Sequence, residues 1–384
     1  MTAPDAPTPA FVRLGHILDK GLFAETPPAG FAELLPQTDD DWMALFASAQ
    51  QNRALAPLSN IFAAKPAFAS LLEQDELQAL REWHQALRFR SEEIRSQVRE
   101  IDRELHGDGH RFLLLKGSTR LFDDLYPDIS CRYSVDLDLM VQNPDSFYTL
   151  MKNDRTILGG EAYNQKAILA GDLSSALGPA FHHLPPLYRL NDQASIELHT
   201  RPFETKFSHL ANFDLWADAQ PVDGLQAGLV PSVPHQIIIA VVHTMLQSLA
   251  KQSFTINIRD LFEGHRLWLL ASPDDRKTVE EHFKACGHGR DVAMWHFLRH
   301  RVFGTAKCDA PHERRFDRFF DRLIQTQTDP DAWFKYRRAA SIRNLLFVEL
   351  WDRQRLIGRL RHFASNSFWD RYRRAKDHGK SRRD

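Results

Sequence analysis

The sequence predicts an α+β protein in which a small mixed sheet is flanked by N-terminal helices and by a C-terminal helical domain. Helical periodicity fills the chain up to about residue 107, short apolar runs and period-two alternation follow, and helical patterns return after Pro231. These changes of pattern divide the 384 residues into a disordered tail at 1–10, an N-terminal helical region at 11–107, an α/β core at 108–230, a C-terminal helical domain at 231–370 and a basic tail at 371–384.

The clearest N-terminal helix is predicted for residues 71–105, just before the sheet region. Its apolar residues are spaced by threes, fours and one seven, as on the buried face of an amphipathic helix. Glycines at 107 and 109 then interrupt the pattern, because glycine favours turns over helix interiors.

The sheet region begins with an apolar run at residues 112–115, which predicts a buried strand that enters a turn at Lys116. We expect a short helix at 119–125 and a loop at 126–134, where Pro127 disfavours regular structure.

Two further patterns complete the predicted sheet. Residues 135–141 alternate with period two and predict a strand, and a helix opened by Asn143 or Pro144 is expected to follow as far as Met151. The alternating runs at 187–190 and 194–199 predict a hairpin, because the residues between them, Asn-Asp-Gln, favour a turn.

After Pro231 the chain reads as a series of helices. Ser232 is the predicted N-cap of the first. The predicted helices span residues 232–249, 258–270, 273–286, 289–302, 311–326 and 331–362.

The bulk sequence favours a protein of the cytoplasm. The longest apolar run, at residues 237–242, is far shorter than the roughly 20 residues of a membrane helix, so we expect no membrane span. The N-terminus has neither the basic nor the apolar part of a secretory signal. Three widely separated cysteines indicate reduced thiols, and the pair Cys286 and His288 lacks the second pair that a zinc site needs.

The formal net charge of −1 hides a strong asymmetry. Residues 335–384 hold 15 basic and 5 acidic side chains, a net charge of +10, so the other 334 residues carry −11. Aromatic residues are interleaved with these basic ones, a combination that suits RNA or single-stranded nucleic acid. The alternative is an amphipathic helix that packs its aromatic side chains on the acidic body.

Asp136 and Asp138 are two carboxylates on the strand predicted at 135–141. Residues i and i+2 of a strand point to the same face, so both carboxylates lie side by side. Their repulsion is relieved by a cation, and paired carboxylates suit Mg²⁺. The alternative is an acidic strand face that contacts only solvent.

Lys116, Gly117 and Ser118 follow the apolar run at 112–115. A strand that ends in Gly-Ser offers backbone N–H groups and a hydroxyl to an anion the size of a phosphate, with a lysine beside it. The glycine spacing excludes a Walker A loop. The alternative is an ordinary tight turn.

Glu197 and His199 share one face of the strand predicted at 194–199. A third carboxylate from a neighbouring strand would complete a two-metal site. The alternatives are a general base at Glu197 or a solvent-exposed glutamate.

We expect three other histidines to have structural roles and no part in catalysis or metal binding. His182 and His183 are adjacent in a predicted loop, where neighbouring side chains face opposite ways, and no ligand role is expected for them. His243 lies on an apolar helix and reads as a core histidine, with a contact to Asp260 if residues 259–260 fold against it.

The ordered set of motifs resembles the nucleotidyltransferase superfamily that includes DNA polymerase beta. The closer resemblance, over about residues 70–300, is to a family of largely uncharacterised bacterial nucleotidyltransferases. The motifs that carry it are Leu113-Leu114-Leu115-Lys116-Gly117-Ser118, Tyr126-Pro127, Arg132, Val135-Asp136-Leu137-Asp138-Leu139-Met140-Val141, Glu197-Leu198-His199 with Arg201, His243, and Arg259-Asp260-Leu261.

The resemblance implies roles for eight residues. Asp136, Asp138 and Glu197 would be catalytic and would bind Mg²⁺, with Mn²⁺ as the alternative. The remaining five, Lys116, Gly117, Ser118, Arg132 and His199, would bind the nucleotide. Gly117 and Ser118 would hold the triphosphate, Lys116 and Arg132 would neutralise phosphate charge, and His199 would either contact the nucleotide or orient Glu197.

The resemblance also implies the reaction. The protein would transfer a nucleoside monophosphate from an NTP such as ATP to an acceptor hydroxyl and release pyrophosphate. The acceptor stays open between an RNA such as tRNA, a protein, and a small molecule or modified peptide; the basic C-terminal region is the expected contact for RNA or protein. The alternative function is a non-catalytic module that keeps the fold and binds nucleotide or RNA.

Overall fold

A computed structural model describes residues 8–143, 145–158, 182–247, 250–304 and 314–344. Within these ranges the chain forms a seven-stranded mixed sheet with helices before and after it. The predicted fold class, an α+β protein with a small mixed sheet between two sets of helices, is confirmed. The predicted basic tail at 371–384 and most of the predicted tail at 1–10 lie outside the described residues.

The N-terminal helices end in one long helix that supports the sheet. This helix, α5, has an apolar stripe of Ile94, Val98, Ile101 and Leu105 that packs on the sheet. It confirms the helix predicted at 71–105, although it begins three residues later and ends two residues later. The N-terminal helices are α1 (Ala10–Gly21), α2 (Asp39–Gln51), α3 (Leu55–Ala63), α4 (Pro66–Ala69) and α5 (Gln74–Gly107).

The sheet has the strand order β3-β4-β5-β2-β1-β7-β6. Its strands are β1 (Phe112–Leu114), β2 (Asp136–Val141), β3 (Thr156–Ile157), β4 (Leu187–Tyr188), β5 (Ser195–His199), β6 (Gln220–Pro221) and β7 (Gly228–Val230), and α6 (Asp145–Met151) follows β2. The pairs β1–β7 and β2–β5 are parallel and the other four pairs are antiparallel. The predicted hairpin is confirmed, since β4 and β5 pair antiparallel.

The two faces of the central strands differ in chemistry. Leu137, Leu139 and Val141 of β2 point to the core beneath α5, as do Ile196 and Leu198 of β5. The alternate positions therefore point to the opposite face of the sheet, towards the C-terminal helices. This alternation places the acidic side chains of β2 and β5 on one common face.

Asp102 of α5 fixes the far end of the sheet. Its buried carboxylate accepts the backbone N–H groups of residues 226, 227 and 228 at 2.7, 2.8 and 3.0 Å. These charge-assisted hydrogen bonds hold the start of β7 against α5 and beside β1.

Helices cover the other side of the sheet and join the N-terminal helices in one apolar core. A Cβ atom on Gly15 of α1 would overlap Val302, which lies in the C-terminal helix Gly289–Phe303. These two helices therefore cross at close range. The helices predicted at 258–270, 273–286 and 289–302 are confirmed within one residue at their ends. The C-terminal helices are α7 (Val233–Met245), α8 (Ala250–Ser253), α9 (Ile258–Leu270), α10 (Pro273–Ala285), α11 (Gly289–Phe303), α12 (Arg314–Thr328) and α13 (Pro330–Asn344).

The stretch Val233–Ser253, which includes two residues outside the described ranges, is long and apolar enough by length and composition to cross a membrane. The central part of α7 contributes Ile237, Ile238, Val241 and Val242 to the core, all almost fully buried. A buried core helix passes the same test of length and hydropathy, so this stretch is weak evidence for a membrane span.

Candidate active site

The parallel pairing of β2 with β5 sets the centre of the site. Asp138 is directly opposite Glu197, and Met140 is opposite His199. One ligand atom each from Asp138, Glu197 and His199 lies within 4.8 Å of the others. Two carboxylates and an imidazole at this separation are able to hold one metal ion.

Asp138 is the hub of this cluster. Its Oδ1 lies 2.7 Å from Nζ of Lys116 and 2.8 Å from Nε2 of His199. Burial acts to raise the pKa of Asp138, but Lys116 and His199 outweigh burial and hold that pKa well below its usual range. The carboxylate is therefore ionised and compensated by a lysine that is itself buried among acidic groups.

The turn after β1 wraps over Asp138. Residues Lys116–Leu121 form a 3-10 helix in place of the short helix predicted at 119–125, and Lys116 enters it with a left-handed φ of 48°. The Ser118 hydroxyl accepts the backbone N–H of Asp138 at 2.8 Å, while the Ser118 N–H donates to the Leu115 carbonyl at 3.0 Å. Ser118 thus fastens the turn to β2.

Gly117 lies against the guanidinium group of Arg132. A Cβ atom at Gly117 would be 2.7 Å from Cζ of Arg132, so only glycine fits without moving the arginine. Arg132 is held there by Glu263, whose Oε1 is 2.7 Å from Nε, and by donation from Nη1 to the Tyr133 carbonyl at 2.6 Å. The Lys-Gly-Ser turn and Arg132, separate in sequence, form one cationic wall.

Asp136 and Glu197 line the same cleft as Asp138. Asp136 is half-buried, pairs with Ser195 in the sheet, and lies outside the tight cluster of three. Burial, with the charges of Asp138 and Asp136, raises the pKa of Glu197. The three carboxylates predicted as a group therefore line one cleft, with Asp136 outside the cluster of Asp138, Glu197 and His199.

Two histidines that the sequence assigned to a loop pack on this cluster. The rings of His182 and His183 lie 5.0 and 5.5 Å from the ring of His199, and His183 forms a bridge with His199 beside the sheet. Burial, with the charge of Lys116 adding to it, lowers the pKa of His199 to about 4, so this imidazole is neutral at pH 7. The sequence spacing gives no signal of this stack.

Helix α9 forms the opposite wall. Its Glu263 also accepts the hydroxyl of Tyr126 at 3.2 Å, which gives the Tyr-Pro motif a structural role. Arg259 contacts Asp260 at 3.0 Å, and Nδ1 of His243 lies 3.4 Å from Oδ2 of Asp260. The contact expected between His243 and Asp260 is confirmed, but the prediction of a core histidine is wrong, because the His243 side chain is 32% exposed and lines the cleft.

Two arginines that the sequence did not single out also line the cleft. Arg120 pairs with Asp123 and donates to Gln236 of α7 at 2.8 Å. Arg53 follows α2 with a left-handed φ of 56° and is among the residues that line the cleft. No local sequence motif marks either arginine as a cleft residue, because the packing of distant helices brings each of them to the cleft.

The assembled cleft holds about 760 Å³ of empty space, part of it open to solvent. The carboxylates of Asp138 and Glu197 on its floor, with the imidazole of His199 buried beside them, fit a divalent cation, since oxygen ligands suit Mg²⁺ and imidazole suits transition metals. Five cationic side chains surround that floor and fit the charge of a polyphosphate. They are Arg53, Lys116, Arg120, Arg132 and Arg259.

A family model described as "Uncharacterised nucleotidyltransferase" matches residues 38–304, a stretch that contains every residue of the cleft. No curated protein sequence matches the chain.

Proposed function

Because the chain belongs to the family of uncharacterised nucleotidyltransferases, we propose that it transfers a nucleoside monophosphate from an NTP, ATP among them, to an acceptor hydroxyl. The observation that carries the proposal is the cluster of Asp138, Glu197 and His199, in which the two carboxylates line a cleft with cationic walls and the buried His199 contacts Asp138 from behind. This arrangement pairs a metal-binding floor with charges suited to a triphosphate.

The proposed reaction is a displacement at phosphorus. The acceptor oxygen forms a bond to the α-phosphorus, the bond from that phosphorus to the α–β bridging oxygen breaks, and pyrophosphate leaves with its electron pair. The acceptor proton passes to water. A divalent cation held by Asp136, Asp138 and Glu197, Mg²⁺ with Mn²⁺ as the alternative, would lower the pKa of the acceptor hydroxyl and neutralise phosphate charge.

The side chains of the cleft supply binding and charge. Lys116 and Arg132 stabilise the charge that develops on the phosphate oxygens, and Arg132 offers a planar fork that suits two of them. Gly117 lets the turn approach Arg132 closely, and Ser118 fixes that turn on β2. His199 is neutral and contacts Asp138, so we assign it to orienting that carboxylate.

The decisive experiment asks which cellular fraction gains label. The protein is incubated with each NTP labelled at the α-phosphate, with Mg²⁺ or Mn²⁺, and with RNA, protein or small-molecule fractions. The wild-type protein is expected to label one fraction and release pyrophosphate, and the variant Asp136→Ala/Asp138→Ala to do neither. If the wild-type protein binds NTP but releases no pyrophosphate with any fraction, the non-catalytic alternative holds instead.

A further inference from the structure

A second, larger depression adjoins the cleft. This groove holds about 2020 Å³ of empty space, part of it open to solvent, and runs between the end of α2, the segment before α9, and the helices α12 and α13. It shares Arg53, His243 and Asp260 with the cleft, so the two depressions meet at these residues. A chain that lies in the groove would reach the proposed reaction centre with one end.

The groove side of α13 carries an aromatic pair. The rings of Trp333 and Phe334 lie 4.9 Å apart, and 51% of Phe334 is exposed. The guanidinium of Arg337 lies over Trp333 at 5.2 Å. Exposed aromatic rings with a stacked arginine form a platform on which nucleobases stack.

Tyr336, one turn after Trp333 and beside it on α13, packs on the protein and fixes this platform. Tyr336 contacts Phe254 at 5.1 Å between ring centroids, and its hydroxyl donates to Gln325 of α12 at 3.1 Å. Because residues 333, 334 and 337 lie on neighbouring turns of the helix, anchoring Tyr336 presents them towards the groove.

Asn52 fixes the junction of groove and cleft. Its Nδ2 donates to Gln327 of α12 at 2.7 Å, and its Oδ1 accepts the N–H of Ile258 at 3.2 Å. The neighbouring Arg53 therefore lies at a rigid corner. Among the described residues its guanidinium has no ion-pair or hydrogen-bond partner, which leaves it available to a phosphate.

The charge of the groove favours a polyanion. Among the described residues that line it, Asp260 is the one carboxylate, and Arg259 already pairs with it. Arg53 and Arg337 both line the groove, and the amide side chains of Gln50, Gln51 and Gln327 offer hydrogen bonds to base edges. The segment from residue 335 to the C-terminus carries +10.

From these observations we infer that the groove binds the acceptor, and that the acceptor is the end of a single-stranded nucleic acid whose terminal hydroxyl enters the cleft. This inference rests on the proposed nucleotidyl transfer for its last step but not for binding. Helices α12 and α13 lie beyond residue 304, where the family match ends, so this platform is a feature of the chain outside the matched stretch.

Binding is tested without nucleotide by fluorescence anisotropy of 12-nucleotide RNA and DNA strands labelled at the 5′ end. Trp333→Ala/Phe334→Ala is compared with Trp83→Ala/Phe89→Ala, which removes two exposed aromatic rings of α5 that line neither depression. We expect the first variant to bind at least about five-fold more weakly, since stacking contributes about 1–3 kcal/mol per base, and the control to bind as the wild type does.

Arg337→Ala, a change at an exposed residue that removes one positive charge and the contact with Trp333, gives a second measure. It should reduce the slope of log affinity against log salt by about one. Equal affinity of the wild-type protein and both double variants, or an unchanged salt slope in Arg337→Ala, would overturn the inference.

RNA binding and transfer of label distinguish a failure of this inference from a failure of the proposed function. If RNA binds in the groove and Asp138→Asn binds it equally, yet the wild-type protein adds no nucleotide to any fraction, the groove stands and the proposed reaction fails. If label instead enters a protein or a small molecule and groove variants label it normally, the reaction stands and the nucleic-acid groove is wrong.

Discussion

Nζ of Lys116 lies 2.7 Å from Oδ1 of Asp138; the Asp138 side chain is buried and the Lys116 side chain is 17% exposed. Burial acts to lower the pKa of Lys116, but the charges of Asp138, Glu197 and Asp136 outweigh burial and raise that pKa above its ordinary value. The lysine ammonium is thus the protein's own counter-ion for the acidic floor of the cleft. A divalent cation at the same floor would share that task.

This relationship predicts the behaviour of Lys116→Met. Removing one partner of a buried ion pair leaves an uncompensated charge, so the free energy of unfolding in EDTA should fall by about 3 kcal/mol. Mg²⁺ or Mn²⁺ should restore part of the loss, and the measurement is urea unfolding with and without the metal.

Lys152→Met is the matched control for that experiment. Lys152 also lies 2.8 Å from an aspartate, Asp108, but the pair is exposed. Exposed pairs contribute about 0–1 kcal/mol, so this variant should lose little stability and show no metal rescue. Equal losses in both variants would refute the assignment of Lys116 as counter-ion.

The geometry also ranks two aspartates. Asp138 belongs to the tight cluster and Asp136 lies outside it, so Asp138→Asn should reduce metal affinity more than Asp136→Asn. Removal of one group that stabilises charge in a transition state lowers turnover by roughly 10²–10³-fold, so the turnover of Asp138→Asn should fall by at least that factor.

Isothermal titration with Mn²⁺ and the release of pyrophosphate measure the two effects. Asp145→Asn, an exposed change at the start of α6, is the control and should match the wild type. If Asp136→Asn proves the more damaging for metal affinity, the cation lies closer to Asp136 than the cluster indicates.

Buried histidines predict a loss of stability in mild acid. Burial, with the charge of Arg299 adding to it, lowers the pKa of His296 to about 3, and the Arg299 guanidinium lies 2.9 Å from its Nδ1. An unfolded histidine titrates near pH 6.5. Between pH 6.5 and 3 the unfolded chain therefore binds more protons, so stability is complete above this window and falls as the pH drops through it.

His296→Gln should accordingly flatten the fall in stability from pH 7 to pH 5, by at most about 1.4 kcal/mol per pH unit for one group. Urea unfolding at pH 7, 6 and 5 measures the slope. His106→Gln, at an exposed ring near the end of α5, should leave the slope unchanged. The same slope in wild type and His296→Gln would show that His296 is protonated in the folded protein.

Local periodicity explains what the sequence could predict. The alternation at residues 135–141 predicted a strand with Asp136 and Asp138 on one face, because side-chain direction in a strand depends only on position. The position of Asp138 opposite Glu197 depends on the long-range pairing of β2 with β5, which alternation within one strand does not report. The motif resemblance indicated a carboxylate on a later strand, and the structure shows the pairing. The roles assigned to these residues stay predictions.

Other parts of the site depend on packing that no local pattern reports. Strand β7 has only three residues, too few to show alternation, and it is fixed by the distant Asp102. Glu263 reaches Arg132 because α9 folds back over the turn. His182 lies beside His199 because the next residue, His183, forms a β-bridge with His199 of β5. Such contacts join segments more than fifteen residues apart, where spacing carries no information.

The contact of Gly117 with Arg132 gives a test of the cationic wall. A methyl group in Gly117→Ala would overlap the Arg132 guanidinium and force it away from Glu263. Because the charge-assisted contacts of an arginine with phosphate contribute about 1.5–3 kcal/mol, we expect NTP to bind roughly ten-fold or more weakly.

Gly107→Ala is the matched control, since a methyl group at Gly107 would meet no atom within 4 Å. NTP affinity is measured by titration with a fluorescent nucleotide analogue, alongside Arg132→Ala and the double variant Gly117→Ala/Arg132→Ala. Because both single changes act through the same guanidinium, their effects should not add, and the double variant should bind NTP about as weakly as Arg132→Ala. Additive losses would mean that the Gly117 backbone contacts the nucleotide independently of Arg132.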